Sequence, residues 1–331
     1  MKAVVLVGGQ GTRLRPLTLT TPKQMLPVAG RPMIERVLAH LGAHGVDEVV
    51  LSLGYKPGAF MAVYSDGYCA GVRLRYAVEP EPRDTAGGIA FAARSAGIDE
   101  TFVVQNGDVL TDLDVTALVE FHRRRGGAGT ISLTPVEDPS RYGVVATDDD
   151  GRVTDFVEKP DAARAPSNLI NAGTYVLQPE VLDRIAADGP VSIERETFPA
   201  LVSERLLYAL ASDAEWVDAG TALTYLHANL SLAGREQRWV DEDAEVDPAA
   251  SVTESIIAAG ASVAEGARVE RALVMSGARV GRSAVVRDSI IGAGALVGDG
   301  AVIEGLSILG DGFEVEAGTA ARGLLFPPSA P

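Results

Sequence analysis

The chain carries a single cysteine, Cys69, in 331 residues. No intrachain disulfide can form, and one isolated thiol reads as a small buried hydrophobe rather than a nucleophile. No apolar run approaches the length that spans a bilayer, and the first apolar stretch breaks at Gly8 before a signal-peptide pattern develops. A soluble cytoplasmic protein is expected. Positive charge is scarce, with 29 Lys and Arg against 45 Asp and Glu and a formal net charge of −16. That balance argues against nucleic acid and anionic membranes as partners. An anionic ligand must therefore be held by a few local cations. The 47% hydrophobic and 22% charged content is ample for packed cores, and 331 residues suggest about two domains.

A group of cations follows a Gly-rich turn near the start. Lys2 to Val7 reads as a buried parallel strand, and Gly8, Gly9 and Gly11 then free the backbone to point N–H groups at an anion. Arg13, Arg15 and Lys23 follow. The dinucleotide fingerprint would need a third Gly where Leu14 stands, and no Gly-Lys-Ser/Thr follows to make a P-loop. On the glycines alone, a strand-to-helix turn with solvated arginines fits equally well.

Beyond this loop, strand and helix patterns alternate. Met33, Ile34, Val37, Leu38 and Leu41 repeat at the spacing of one buried helical face within Pro32 to His44. Strands are expected over Asp47 to Leu53, Val72 to Val78 and Thr101 to Gln105, with a helix over Ala86 to Ser95. Such alternation predicts a doubly wound, mostly parallel α/β sheet with ligands beyond the carboxyl ends of its strands. Asn106-Gly107-Asp108 falls at such an end.

The last quarter has another period. Val240, Ile257, Val274, Ile291 and Ile308 recur every 17 residues, as do Val246, Val263, Val280 and Val297, and Val252, Val269, Val286 and Ile303. Three apolar columns imply a coil with three flat sides, and Gly260, Gly277 and Gly294 keep register at its turns. The pattern resembles the hexapeptide repeat of left-handed parallel β-helices, with about five coils. Val315 arrives one residue late, so the last coil is irregular, and Pro327 to Pro331 are expected to leave the stack. Some β-helices carry acyltransferase chemistry through a His base, but His40, His44, His122 and His227 all precede the repeat. A structural or assembly role is expected instead, and a homodimer is plausible.

The motifs GGxGTRLxPLT, PKxxLPV, GRPMI, EPxxxTAG, NGDVL, RYGVV, VEKP, INAGTYV, SIERETFP and WVDAGT stand in this order to about residue 230. The series resembles that of the sugar-1-phosphate nucleotidyltransferases. The resemblance implies a catalytic domain over 1–235, a β-helix over 236–324 and a tail over 325–331. It implies attack by a sugar-phosphate oxygen on the α-phosphorus of a nucleoside triphosphate, with Mg²⁺ as the metal. Gly8, Gly9, Gly11 and Thr12 would cradle the nucleotide. Arg13 would meet the departing pyrophosphate and Lys23 the α-phosphate, with Pro22 fixing the approach and Arg15 reinforcing the field. Asp108 and Asp218 would hold the metal, although by pattern each fits equally a turn or a helix start. Gly143, Glu158, Lys159 and Asn171 would bind the sugar phosphate, where Glu158-Lys159 by pattern is also an ordinary surface pair.

Glu79 occupies the base-reading place, where relatives using thymidine or uridine triphosphate present Gln. Guanine offers two donors, N1–H and the N2 amine, which suit one carboxylate; GTP is therefore favoured, with Glu81 a competitor for the role. Mannose-1-phosphate guanylyltransferases commonly read EPLGTAG where this chain reads Glu81-Pro82-Arg83-Asp84-Thr85-Ala86-Gly87. Asp84 and Thr85 are expected at the nucleotide, either with Asp84 joining Glu79 and Arg83 offsetting its charge, or with a loop tuned to a heptose or cyclitol phosphate. GTP with mannose 1-phosphate is the leading pair. Glucose 1-phosphate with dTTP or UTP, and a regulatory paralogue without turnover, are the alternatives.

Overall fold

A computed structural model describes residues 1–161, 164–236 and 239–327. The chain forms two compact units: Met1–Gly9 with Ile34–Val217, and Gln10–Met33 with Asp218–Pro331. The Gly-rich loop is thus divided. Its two leading glycines end a strand of the first unit, and its cationic part clusters with the C-terminal segment.

In the first unit, β1 (Lys2–Leu6) lies at the middle of a ten-stranded mixed sheet. After α1 (Met33–Ala43) come β2 (Glu48–Leu53), β3 (Val72–Val78), α2 (Asp84–Ser95), β4 (Phe102–Asn106) and α3 (Val115–Arg125). The chain continues through β5 (Gly129–Pro135), β6 (Gly143–Thr147), β7 (Val153–Glu158), β8 (Leu169–Leu177) and β9 (Leu207–Ala211). The sheet runs β7–β6–β8–β4–β1–β2–β3 and ends on Tyr68–Cys69, with β5 pairing β8 and β9. β4, β1, β2 and β3 are mutually parallel, and β8 joins β4 antiparallel. Continuous apolar runs in β1, β2 and β4 suit strands covered on both faces; β3, nearer the edge, alternates buried and exposed residues.

The chain leaves β1 toward β2 on one side and returns as β4 on the other. That reversal opens a crevice at the carboxyl end of β1, the usual ligand position in open α/β sheets. α2 can lie close on the sheet because Ala86, Gly87, Gly88, Ala90, Ala92 and Ala93 are all buried and small. It begins at Asp84, two residues before the expected start. α3 is capped by Asp114, whose carboxylate accepts from Ala117 N–H at 2.9 Å, and it stops at Gly126 with φ +68°. Cys69 is buried, as its isolation in the sequence predicts, and burial pushes its thiol up to about 11, with Glu35 adding to the effect.

In the second unit, α4 (Ala222–Glu236) precedes three five-stranded parallel sheets, consistent with a left-handed β-helix. Ile257, Val263, Val269, Val274, Val280, Val286, Ile291, Val297 and Ile303 fill its interior. Each such side chain stabilises the stack by about 1.5–3 kcal/mol on burial. One column differs from the sequence expectation. Ile291 pairs with Leu309, not Ile308, while Val286 still pairs with Ile303, so the coil gains its extra residue between Ile303 and Ile308. Gly305 and Leu306 absorb it with φ +66° and +65°. Leu325–Phe326 pairs with Ile308–Leu309 and so belongs to the stack; of the expected tail, residues 328–331 lie outside the described residues.

Candidate active site

Several residues expected at the nucleotide gather at the carboxyl edge of the first unit's parallel strands. Gly8 and Gly9 follow β1, Glu79 follows β3, and Gly107-Asp108 follows β4. Val7 N–H donates to Ser52 O at 3.0 Å and Gly107 N–H to Leu6 O at 2.9 Å, which ties these strand ends together.

The Glu79 carboxylate is closely held. Ser52 Oγ, fully buried, donates to Oε1 at 2.7 Å, and Arg83 N–H donates to Oε2 at 3.2 Å. A Cβ added at Gly8 would lie 3.6 Å from Oε1, and one at Gly88 only 3.0 Å. The contact at Gly8 is an ordinary one, whereas glycine at position 88 leaves room for this carboxylate. A carboxylate accepts about four hydrogen bonds, so two acceptor positions remain for a ligand. Neither Ser52 nor Gly88 carries a motif that marks this role.

Asp84 has φ +57°, a backbone region that Gly enters freely and Asp enters better than most residues. The Gly-to-Asp departure therefore preserves the left-handed turn. The Arg83 guanidinium is directed away from Asp84 by its own partners. Nη1 donates to Ala187 O at 2.7 Å, and the group lies 4.8 Å from the centroid of Phe91. Thr85 Oγ1 donates to Glu194 Oε2 at 2.8 Å and accepts from Ile193 N–H at 2.8 Å. Ser192 Oγ donates to the same Glu194 oxygen at 3.0 Å. Glu194 lies in a π-helical segment, Ile193–Thr197, a local form often found at functional sites. The sequence reading did not single it out, although the SIERETFP motif contains it.

Three of the expected sugar-phosphate residues, Glu158, Gly143 and Asn171, lie on the neighbouring strands β7, β6 and β8, and Lys159 directly follows β7. Gly143 pairs directly with Glu158. The Val144–Ile170 pair places Gly143 and Asn171, one step along, beside each other. A Cβ on Gly143 would meet Phe156 at 2.7 Å and Glu158 Oε2 at 3.1 Å. Lys159 takes φ +50°, and its Nζ lies 2.6 Å from Glu158 Oε1. Asn171 Nδ2 donates to Tyr175 OH at 3.0 Å, and its Oδ1 accepts from Gly173 N–H at 2.9 Å. Burial raises the Tyr175 phenol above its ordinary range, and Glu194 adds to the shift. Trp216 Nε1 donates to Ala172 O at 2.8 Å and packs edge-on against Tyr142.

In the second unit, Gly11 has φ +63° and opens the turn Thr12–Leu14. Thr18 Oγ1 donates to Gly11 O at 2.8 Å. Pro22, with φ −55°, caps the turn Lys23–Met25, and Lys23 is only 8% exposed. Arg13 is exposed and Arg15 half-buried. Asp218 Oδ1 accepts from Gly220 N–H at 2.8 Å.

The family resemblance implies a divalent metal. Among the described residues no group of three or more His, Cys, Asp or Glu is arranged to hold an ion with protein ligands alone. Two aspartates nevertheless suit Mg²⁺, which prefers oxygen and commonly completes its octahedron with water and substrate phosphates. Asp108 and Asp218, the residues named by the resemblance, each offer carboxylate oxygens of the type that ion prefers.

Residues 2–235 match the family model described as Nucleotidyl transferase, and residues 235–329 match the GMPPB C-terminal domain. The mannose-1-phosphate guanylyltransferase of Mycobacterium tuberculosis is 39% identical over 80% of this chain and 77% of its own length. The mannose-1-phosphate guanyltransferase of Aspergillus fumigatus is 40% identical over 76% of this chain and 73% of its own. HddC from Yersinia pseudotuberculosis, solved in complex with GMP-PN, superposes with a TM-score of 0.59 at 28% identity, over 70% of this chain and 99% of HddC. With Glu79 and Asp108 at the carboxyl ends of its parallel strands and this match over most of its length, the chain belongs to the nucleotidyl transferase family.

Proposed function

We propose that the protein transfers a guanylyl group from GTP to mannose 1-phosphate, giving GDP-mannose and pyrophosphate. A phosphate oxygen of the sugar attacks the α-phosphorus; the bond to the β-phosphate oxygen breaks, and pyrophosphate leaves with that electron pair. The attacking phosphate is already ionised at neutral pH, so fixed cations and backbone donors matter more than a general base. Gly8, Gly9, Gly11 and Thr12 present the nucleotide-facing backbone, Arg13 meets the pyrophosphate and Lys23 the α-phosphate. Asp108 and Asp218 hold Mg²⁺, which when bound draws charge from the phosphate oxygens. Gly143, Glu158, Lys159 and Asn171 receive the sugar phosphate. The reaction runs in the cytoplasm, in a catalytic domain of residues 1–235 followed by the β-helix.

The observation that carries the guanine assignment is the Glu79 carboxylate, held by Ser52 and Arg83 N–H with further acceptor positions for two base donors. The names of the relatives near 40% identity support the mannose 1-phosphate assignment. The test is pyrophosphate release by the purified protein with Mg²⁺ across a matrix of nucleoside triphosphates and sugar 1-phosphates. A maximum for GTP with mannose 1-phosphate is expected, and a maximum with dTTP or UTP and glucose 1-phosphate would overturn the assignment. The exposed Asp84, with Arg83 turned onto Ala187 and Phe91, favours a second reading in which GTP is kept but a heptose or cyclitol phosphate is the acceptor.

A further inference from the structure

The second unit brings the cationic loop onto the β-helix at one place. Thr20 Oγ1 donates to Asp311 Oδ2 at 2.5 Å, while Asp311 Oδ1 accepts from Ala293 N–H at 3.0 Å. Beside this bond, a Cβ added at Gly310 would lie 3.1 Å from Pro16 Cβ and 3.1 Å from Phe326 O, so only Gly admits the loop so closely. The three preceding coils carry Ala259, Ser276 and Ala293 in the place of Asp311, each followed by a left-handed Gly. The aspartate thus differs from the small residues of these three coils at the coil that the loop touches; in the first coil, counted from Val240, Glu242 holds the place. The coil that the loop touches is also the one with the inserted residue.

Contacts within the loop carry this anchorage inward. Thr20 Oγ1 also lies 3.2 Å from Leu17 O, and Thr18 Oγ1 bonds Gly11 O at 2.8 Å. A Cβ on Gly11 would meet Thr18 Cγ2 at 2.8 Å and Lys23 Cβ at 3.1 Å. Pro16, Leu17, Thr18 and Lys23 are all buried. Between the anchor and the two cations there is little room for independent movement. Farther along, Ala29 N–H donates to Asn229 Oδ1 at 3.0 Å and Tyr225 OH to Pro27 O at 2.5 Å, fixing the loop's exit to α4.

We propose that the β-helix is a positioning element for the triphosphate loop, with Asp311 acting through Thr20 on the placement of Arg13 and Lys23. The proposal deepens the nucleotidyl-transfer reading and rests on it for the role of those cations. It assigns the β-helix a part in the reaction beyond stacking or assembly. Thr20 and Asp311 are positioning residues, since neither is assigned a contact with substrate.

Thr20 is exposed, so Thr20→Val removes the hydroxyl while conserving shape and sparing the core. In the full-length protein, Thr20→Val and Asp311→Ala should each raise KM for GTP about tenfold, the double variant should be no worse than either, and Thr20→Ser should behave as wild type. Amide hydrogen exchange over residues 11–23 should accelerate in Thr20→Val and not in Thr20→Ser. Unchanged exchange in Thr20→Val, or multiplicative effects of the two substitutions on KM, would overturn the proposal. Absence of pyrophosphate release by wild type would instead refute the functional reading, and the exchange measurement would still report on the clamp.

Discussion

Replacing Gly11 with Ala tests whether the loop conformation is set by the backbone or by its cations. At φ +63° an L-residue costs about 1–2 kcal/mol. The new Cβ would also lie 2.8 Å from Thr18 Cγ2 and 3.1 Å from Lys23 Cβ, and relieving that overlap among buried side chains costs about 1 kcal/mol more. Thr18→Ser separates the two contributions, because it removes Cγ2 and keeps the hydroxyl that donates to Gly11 O at 2.8 Å. Alone, Thr18→Ser should cost about 1 kcal/mol for the lost buried methyl. Together the two substitutions should cost about 1–2 kcal/mol rather than the 3–4 kcal/mol of their sum, because the Ala methyl fills the vacated space. Urea unfolding followed by circular dichroism would measure the cycle, and pyrophosphate release at varied GTP would report the loop. KM for GTP should rise with the single variant and recover in part with the pair. Strict additivity, or a neutral Gly11→Ala, would refute the packing account.

Glu79→Gln should lower kcat/KM for GTP at least about a hundredfold, because an amide meets two base donors with only one acceptor; a GTP-to-UTP competition assay reads this, and an unchanged preference would remove Glu79 from base recognition. Gly298→Ala would set a Cβ 2.5 Å from Ala317 N and 2.7 Å from Glu316 C, both backbone atoms of the next coil, so the β-helix should lose about 3 kcal/mol in a thermal melt. His122 is fully buried, with Nδ1 2.9 Å from Thr130 Oγ1 and Nε2 2.8 Å from Gln178 Nε2, and burial followed by the Arg123 charge lowers its pKa to about 4. The unfolded imidazole takes up its proton near pH 6.5, before the folded one does, so this contribution is fully present above that pH and is lost as pH falls toward 4. The loss amounts to about 3 kcal/mol. His122→Gln should remove that slope from unfolding curves measured between pH 7 and 4, and an unchanged slope would show that His122 is not its source.

Legibility in the sequence followed how narrowly the chemistry restricts residue type. The strand ending at Gly8, the helical face Met33 to Leu41 and the three 17-residue columns could be read directly, since burial on a fixed period admits few residue types. Periodicity does not single out Glu79, Gly143, Glu158 and Asn171; only the family motifs do, and the fold sets them at strand ends or on neighbouring strands. Reading by period also failed where chemistry is permissive. Ile308 and Leu309 are adjacent and both apolar, so the inserted residue left the column readable in two registers, and only the pairing of Ile291 with Leu309 distinguishes them. Thr85 is named through its motif, but its bonds to Glu194 and Ile193, over a hundred residues away, carry no mark in the sequence. Ser52, beneath Glu79, is a serine inside an otherwise apolar strand. The Thr20–Asp311 bond is the extreme case. Any hydroxyl can meet any carboxylate, neither residue breaks a local rule, and 291 residues separate them. The one trace is that Asp311 follows the small residues Ala259, Ser276 and Ala293 in its column, and it becomes visible only once the coils are aligned with their 18-residue member. Glu242, acidic in the first coil, weakens even that trace, so residue type alone does not distinguish a loop contact from an ordinary turn.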